Sequence, residues 1–112
     1  MNTAISSRVR SVSENLALTQ EELGDLLNTS QRTVSRWATG ESAPQRAPKQ
    51  RLLELVYISD QVRRVMKSED ANLWLFSPNR LLDGETPADL IKRREFRRVL
   101  ALIDALAEGI VV

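Results

Sequence analysis

Residues 18–40 open a helix, stop it and open another within one short stretch, and this constrains the fold more than any bulk property of the chain. Leu18 precedes Thr19-Gln20-Glu21-Glu22. In this S/T-x-x-E pattern the Thr19 hydroxyl accepts from the Glu22 amide while the Glu22 carboxylate reaches back. Leu18 and Leu23 supply the apolar staple beside it. The helix so opened runs to about Leu27. Asn28 then tolerates the left-handed backbone that a tight turn needs. Ser30 caps a further helix, Gln31 to Ala38, which Thr39-Gly40 ends. Two short helices joined by such a turn make a helix-turn-helix.

The remaining sequence also reads as helix. No segment alternates apolar and polar residues long enough for a strand, so the expected fold is all-α. Ile5, Val9, Val12 and Leu16 mark a first helix, Thr3 to Asn15. Lys49 to Lys67 reads as one longer helix. Its apolar residues (Leu52, Leu53, Leu55, Val56, Ile58, Val62, Val65, Met66) cover well over half of the helical wheel. That width implies two burial surfaces, one toward its own chain and one toward a second copy, with Leu53 and Val62 as pairing residues. Ser68 is expected to cap a short helix through Trp74, Leu75 and Phe76, which Pro78 breaks. Asn79 to Leu82 form a single turn. Thr86-Pro87-Ala88-Asp89 is a further start signal, with Pro at the first helical position and an acid near the positive end of the dipole. The last helix is expected over Arg94 to Glu108, with Gly109 as its stop. The chain divides at residue 48: a helix-turn-helix domain over 1–48 and a helical region over 49–112.

Composition excludes several classes of chemistry. The 112 residues contain no His and no Cys. The usual zinc sites, Cys-His pairs and Ser-His-Asp triads therefore cannot be built. The paired acids Glu21-Glu22, Glu69-Asp70 and Asp83/Glu85 sit at helix starts or in a loop, where carboxylates favour the dipole or the turn. The chain is read as a binding protein, not an enzyme, with no cofactor and no metal. No window approaches the roughly 18 apolar residues of a membrane span. The first residues show no apolar core of a secretory signal, so a cytoplasmic protein without membrane contact is expected.

In a helix-turn-helix the second helix enters the major groove and its first residues reach base edges. Here that helix carries Gln31, Arg32, Thr33, Ser35 and Arg36, while Val34 and Trp37 point inward. Gln pairs bidentately with adenine and Arg with guanine. Gln20 and Ser30 stand at helix starts, beside backbone amides suited to phosphates. A polar helix face is most often merely solvated; the ordered caps, turn and apolar pair favour DNA. Residues 1–48 hold five Arg (8, 10, 32, 36, 46) against five acids (14, 21, 22, 25, 41), so one copy carries no net attraction for DNA. Specific binding then calls for a homodimer reading two half-sites of double-stranded operator. The run Lys92-Arg93-Arg94-Glu95-Phe96-Arg97-Arg98 meets either phosphates or an acidic partner, or is a solvated face, the reading favoured here. Trp74 and Phe76 are read as core. For the apolar end, Ile110-Val111-Val112, folding back onto the core stands level with disorder or partner docking.

The stretch LTQEELGDLLNTSQRTVSRWATGESAP resembles the Cro/Xre helix-turn-helix repressors. The resemblance implies that Gln31, Arg32 and Arg36 read bases and that Gln20 meets phosphate. Gly24, Asn28 and Thr29 stand where that family usually has Ala, Gly and Val. The first two keep small size and a left-handed turn; Thr29 and the interior Gly24 imply a less stable helix pair. The run ANLWLFSPNRLLDGETPADLI, followed by FRRVLALIDALAEG, resembles the toxin-binding domain of the Xre/MbcA/ParS antitoxins, and within them the mycobacterial MbcA-like branch. Trp74-Leu75, Pro78-Asn79, Leu82, Gly84, Pro87 and Gly109 carry it. Arg94 departs from it, near where many members have Gly. The resemblance implies an antitoxin that neutralises a RES-domain toxin destroying NAD⁺, within a larger hetero-oligomer, and that represses its own operon. It also implies that the C-terminal end, Glu108, Gly109, Ile110, Val111 and Val112, occludes the toxin's active site. The alternative is a dimeric repressor without a toxin partner.

Overall fold

The computed structural model describes residues 3–109, and among these the chain forms seven α-helices, one 3-10 turn and no strand. They are α1 (Thr3–Asn15), α2 (Gln20–Leu26), α3 (Gln31–Thr39), α4 (Arg46–Arg63), α5 (Ser68–Leu75), the 3-10 turn Arg80–Leu82, α6 (Pro87–Lys92) and α7 (Phe96–Ala107). Ile110, Val111 and Val112 lie outside the described residues.

The two start signals read from sequence are both formed. Thr19 and Glu22 exchange side chain-to-backbone hydrogen bonds of 2.9 and 3.0 Å. Thr86 and Asp89 make the same reciprocal pair at 3.1 and 3.0 Å, with Pro87 opening α6. The bonds donated to Asp89 by the Thr86 amide and hydroxyl hold its carboxyl below the ordinary value.

Three expectations need correction. Helix α4 begins at Arg46 and ends at Arg63, not Lys49 to Lys67. Pro48 falls in its first turn, where a missing N–H leaves no bond unmade. Ser68 does not cap α5. Lys67 holds the cap position, without a side-chain bond, and Ser68 is the first helical residue. Helix α7 begins at Phe96, because Arg94 adopts φ +65° and breaks the helical path.

One hydrophobic core runs through both halves, from Ile5, Val9 and Val12 in α1 through Leu52, Leu55 and Ile58 in α4 to Val99, Leu102 and Ile103 in α7. Helix α4 lies between α1 and α7. Its broad apolar wheel is therefore covered from both sides within the chain. Val62, expected on a pairing face, is fully buried, whereas Leu53 and Tyr57 remain exposed one turn apart. Polar ties reinforce the packing. Asn72 donates to the carbonyls of Leu16 and Ala17 at 3.1 and 2.9 Å, fastening α5 to the end of α1. Asn15 donates to Ser59 and Asp60 of α4.

Candidate nucleic-acid interface and carboxyl-terminal surface

The geometry of the helix-turn-helix follows from its caps. Asn28 takes φ +56°, the left-handed turn expected of it, and the Thr29 amide donates back to the Gly24 carbonyl at 2.9 Å. This return brings the chain so close to α2 that a Cβ on Gly24 would lie 2.8 Å from the Thr29 carbonyl oxygen. Gly24 is therefore demanded by the close approach, and the expectation that it weakens the pair is overturned at this site.

Ser30 accepts from the Thr33 amide at 3.1 Å and shares a 2.9 Å hydrogen bond with the Thr33 hydroxyl. Both hydroxyls are thus engaged in the cap. On α3, Val34 and Trp37 are buried, as their spacing predicts. Gln31, Arg32 and Arg36 are exposed on the opposite side, with Thr33 and Ser35 half-buried between. Gln20 is half-buried in the first turn of α2. Helix α3 is pinned from behind by α1. The Ser6 hydroxyl donates to the Trp37 carbonyl at 3.0 Å, and Arg10 donates to Ala38 at 3.4 Å. Arg36 rests 3.6 Å from Glu41 in an exposed ion pair, which a base edge or phosphate can replace at little cost.

The turn is also tied to the rear of the molecule, a link that no motif in the sequence announces. The Asn28 side-chain amide donates to the Lys92 carbonyl, at the end of α6, over 3.1 Å. Beyond Lys92, Arg93 binds Glu85 and also Glu95, the latter at 2.6 Å, and Arg98 binds Glu95 at 2.9 Å. Arg98 and then Arg93 hold the Glu95 carboxyl below its usual range, and Glu85 foremost raises the Arg93 guanidinium further.

At the carboxyl end, Glu108 and Gly109 follow α7 and are exposed, with Gly109 at φ +86°. The other three residues expected to meet a toxin, Ile110, Val111 and Val112, are outside the described residues. An open groove runs along α7, lined by Leu81, Leu82, Arg98, Ala101, Leu102 and Ala105. A second groove adjoins it at the 3-10 turn, with Met66, Leu73, Trp74, Pro78 and Arg80 in its wall. Leu73, Phe76 and Leu81 are all exposed, so Phe76 is not the core residue expected. Trp74 does pack against the core, and its indole N–H is buried without a partner among the described residues. No helix among the described residues is long and apolar enough to cross a membrane.

Comparison with known proteins finds two family models along the chain. Residues 11–54 match a helix-turn-helix family model, and residues 61–109 match the antitoxin Xre/MbcA/ParS C-terminal toxin-binding domain. The mycobacterial cidal antitoxin MbcA of Mycobacterium tuberculosis is 51% identical over 108 residues, 96% of either chain. A probable mycobacterial cidal antitoxin of the same species is 28% identical over 92 residues, covering 82% of this chain and 78% of that one. Among solved structures, a chain in the M. tuberculosis MbcT–MbcA toxin–antitoxin complex superposes with a TM-score of 0.86 at 50% identity, over 100% of both chains.

Proposed function

Because this chain belongs to the Xre/MbcA/ParS antitoxin family, we propose that it is the neutralising half of a two-protein toxin–antitoxin pair and the repressor of the operon encoding both. Residues 1–48 bind operator and residues 49–112 bind the toxin. The toxin is a RES-domain enzyme that degrades NAD⁺, and the chemistry belongs to it; this chain only binds, in the cytoplasm.

The observation that carries the toxin half of this reading is the full-length likeness to a chain of the MbcT–MbcA complex. The exposed Leu73, Phe76 and Leu81 within residues 61–109 support it, since uncovered apolar side chains suit a protein partner. The C-terminal end, Glu108 to Val112, leaves the end of α7 and plugs the toxin's active-site cleft.

The operator half rests on α3. Gln31, Arg32 and Arg36 reach base edges, Thr33 and Ser35 flank them, and Gln20 and Ser30 place backbone amides near phosphates. The charge-neutral front binds firmly only as a homodimer on two half-sites, within a larger assembly with toxin. Leu53 and Tyr57 are the uncovered apolar pair on α4 through which two copies meet.

Coexpression with the RES-domain protein of the neighbouring reading frame tests the reading. Cellular NAD⁺ should be preserved by the full chain and lost when Val111 and Val112 are deleted or the terminus carries a bulky tag. Equal protection by all three forms removes the plug.

A further inference from the structure

The segment from Lys92 to Arg98 is the densest run of cations in the chain, and neither activity proposed above uses it. The structure sorts its members into two groups. Arg93 and Arg98 are neutralised by Glu85 and Glu95. Lys92, Arg94 and Arg97 are exposed and make no ion pair among the described residues. Glu54 lines a groove with Arg94 and Arg97 but makes no ion pair with either, its carboxylate accepting a hydrogen bond from Gln50. Three exposed cations without an ion-pair partner therefore remain on this surface, with Asp89 and Glu54 as the acids near them.

The hydrogen bond from Asn28 to the Lys92 carbonyl fixes the start of this segment. Asn28 lies in the turn just ahead of the Ser30 cap of α3. The end of α6 is thereby held against the turn that leads into α3, whose first residues are Gln31 and Arg32. A helix end seated in a major groove about 12 Å wide has phosphate walls on both sides, within reach of long cationic side chains beside it. Arg94 adds a second observation. It holds φ +65°, a backbone conformation that suits glycine and that an arginine adopts only under strain. Strain retained at an exposed, unpaired cation is accounted for if the side chain is used. The front half supplies no surplus of positive charge of its own.

We propose that Lys92, Arg94 and Arg97 form a second grip on the DNA backbone, clasping phosphates next to the point where α3 enters the groove. The inference rests on the operator-binding reading and extends it: part of the rear half belongs to the DNA-binding surface.

Salt dependence measures phosphate contacts directly. The probe is a fluorescein-labelled duplex spanning the region immediately upstream of the protein's own reading frame, with a scrambled duplex of equal length beside it. Anisotropy titrations of the full chain are run between about 50 and 200 mM salt. Each of Lys92→Gln, Arg94→Gly and Arg97→Gln should lower the slope of log K against log salt by about 0.9. The loss should be the same on both duplexes, because phosphates carry no sequence information. Arg94→Gly should also raise the thermal midpoint, since it relieves the backbone; weaker DNA binding by a more stable protein cannot come from misfolding. Arg64→Gln, which removes an equal charge at the carboxyl end of α4, should leave the slope unchanged.

Unchanged slopes in all three variants, with wild-type protein still binding, overturn the inference alone. If slopes hold and toxin affinity falls instead, the cluster faces the toxin and the inference is equally overturned. Wild-type protein that binds neither duplex overturns the operator reading, and this inference with it.

Discussion

From Gln20 to Thr39 the large apolar side chains Leu23, Leu26, Val34 and Trp37 are buried, and the outward face is polar. From Ser68 to Leu82 the pattern is different: Leu73 is 69% exposed, Leu81 52% and Phe76 36%. Such a contrast matches two kinds of partner. A DNA groove presents hydrogen-bonding edges and negative charge, so a surface that reads it exposes amides and guanidinium groups. A protein offers apolar surface to be covered, so a docking region leaves leucines outside. Both surfaces are nevertheless mounted on one core, and Asn28 ties the reading end of the first to the α6–α7 junction of the second.

The hardest blow to this comparison is aimed at the shared core. Trp37→Ala should cost about 3–5 kcal/mol and abolish both activities. Urea unfolding followed by Trp74 fluorescence and by circular dichroism should shift together. A Trp74 transition that does not move would show the halves to be independent. Gly24→Ala comes next. Its new methyl carbon would meet the Thr29 carbonyl at 2.8 Å, so the thermal midpoint should fall by the equivalent of about 1–3 kcal/mol.

Two further substitutions separate the surfaces. Arg36→Ala should weaken operator binding by about 1–3 kcal/mol while NAD⁺ protection in cells stays intact; equal damage to both would make Arg36 structural. In mirror image, Leu81→Ala should weaken toxin binding by about 1 kcal/mol in calorimetry and leave the operator Kd unchanged. The smallest effect is a pH dependence. Asp89 is held below its ordinary 3.8 by Thr86, so its contribution to stability is complete above that value. It is lost as pH falls through the lower, folded-state pKa. Asp89→Asn should therefore flatten the acid limb of the thermal midpoint against pH, and an unchanged limb would mean that the α6 cap carries no such linkage.

Local chemistry was legible where it acts through neighbours in sequence. Thr19-Glu22, Ser30, Asn28 and Thr86-Asp89 all formed the caps and turns that their spacing implied. What the residues alone withheld was tertiary. The width of the α4 wheel suggested two burial surfaces, and α1 and α7 supply both within the chain, burying Val62 and leaving Leu53 and Tyr57 exposed. Gly24 read as a defect until the return of the chain at Thr29 explained it. The departure from Gly at Arg94 was visible, but its meaning required the φ angle. The bond from Asn28 to Lys92 joins residues far apart in sequence through a backbone carbonyl, which no residue pattern encodes. Phe76 was misplaced because an aromatic near a loop more often packs inward, whereas here it follows the last residue of α5 and stays exposed.

The central claim is that one end of this chain binds DNA while the other silences an enzyme. It is tested most directly by purifying the full chain together with the proposed RES-domain toxin and following NAD⁺ in vitro. The account predicts that the complex leaves NAD⁺ intact, that Arg36→Ala changes nothing in this assay, and that removing Val111 and Val112 restores consumption. A purified complex that consumes NAD⁺ as fast as the toxin alone would contradict it.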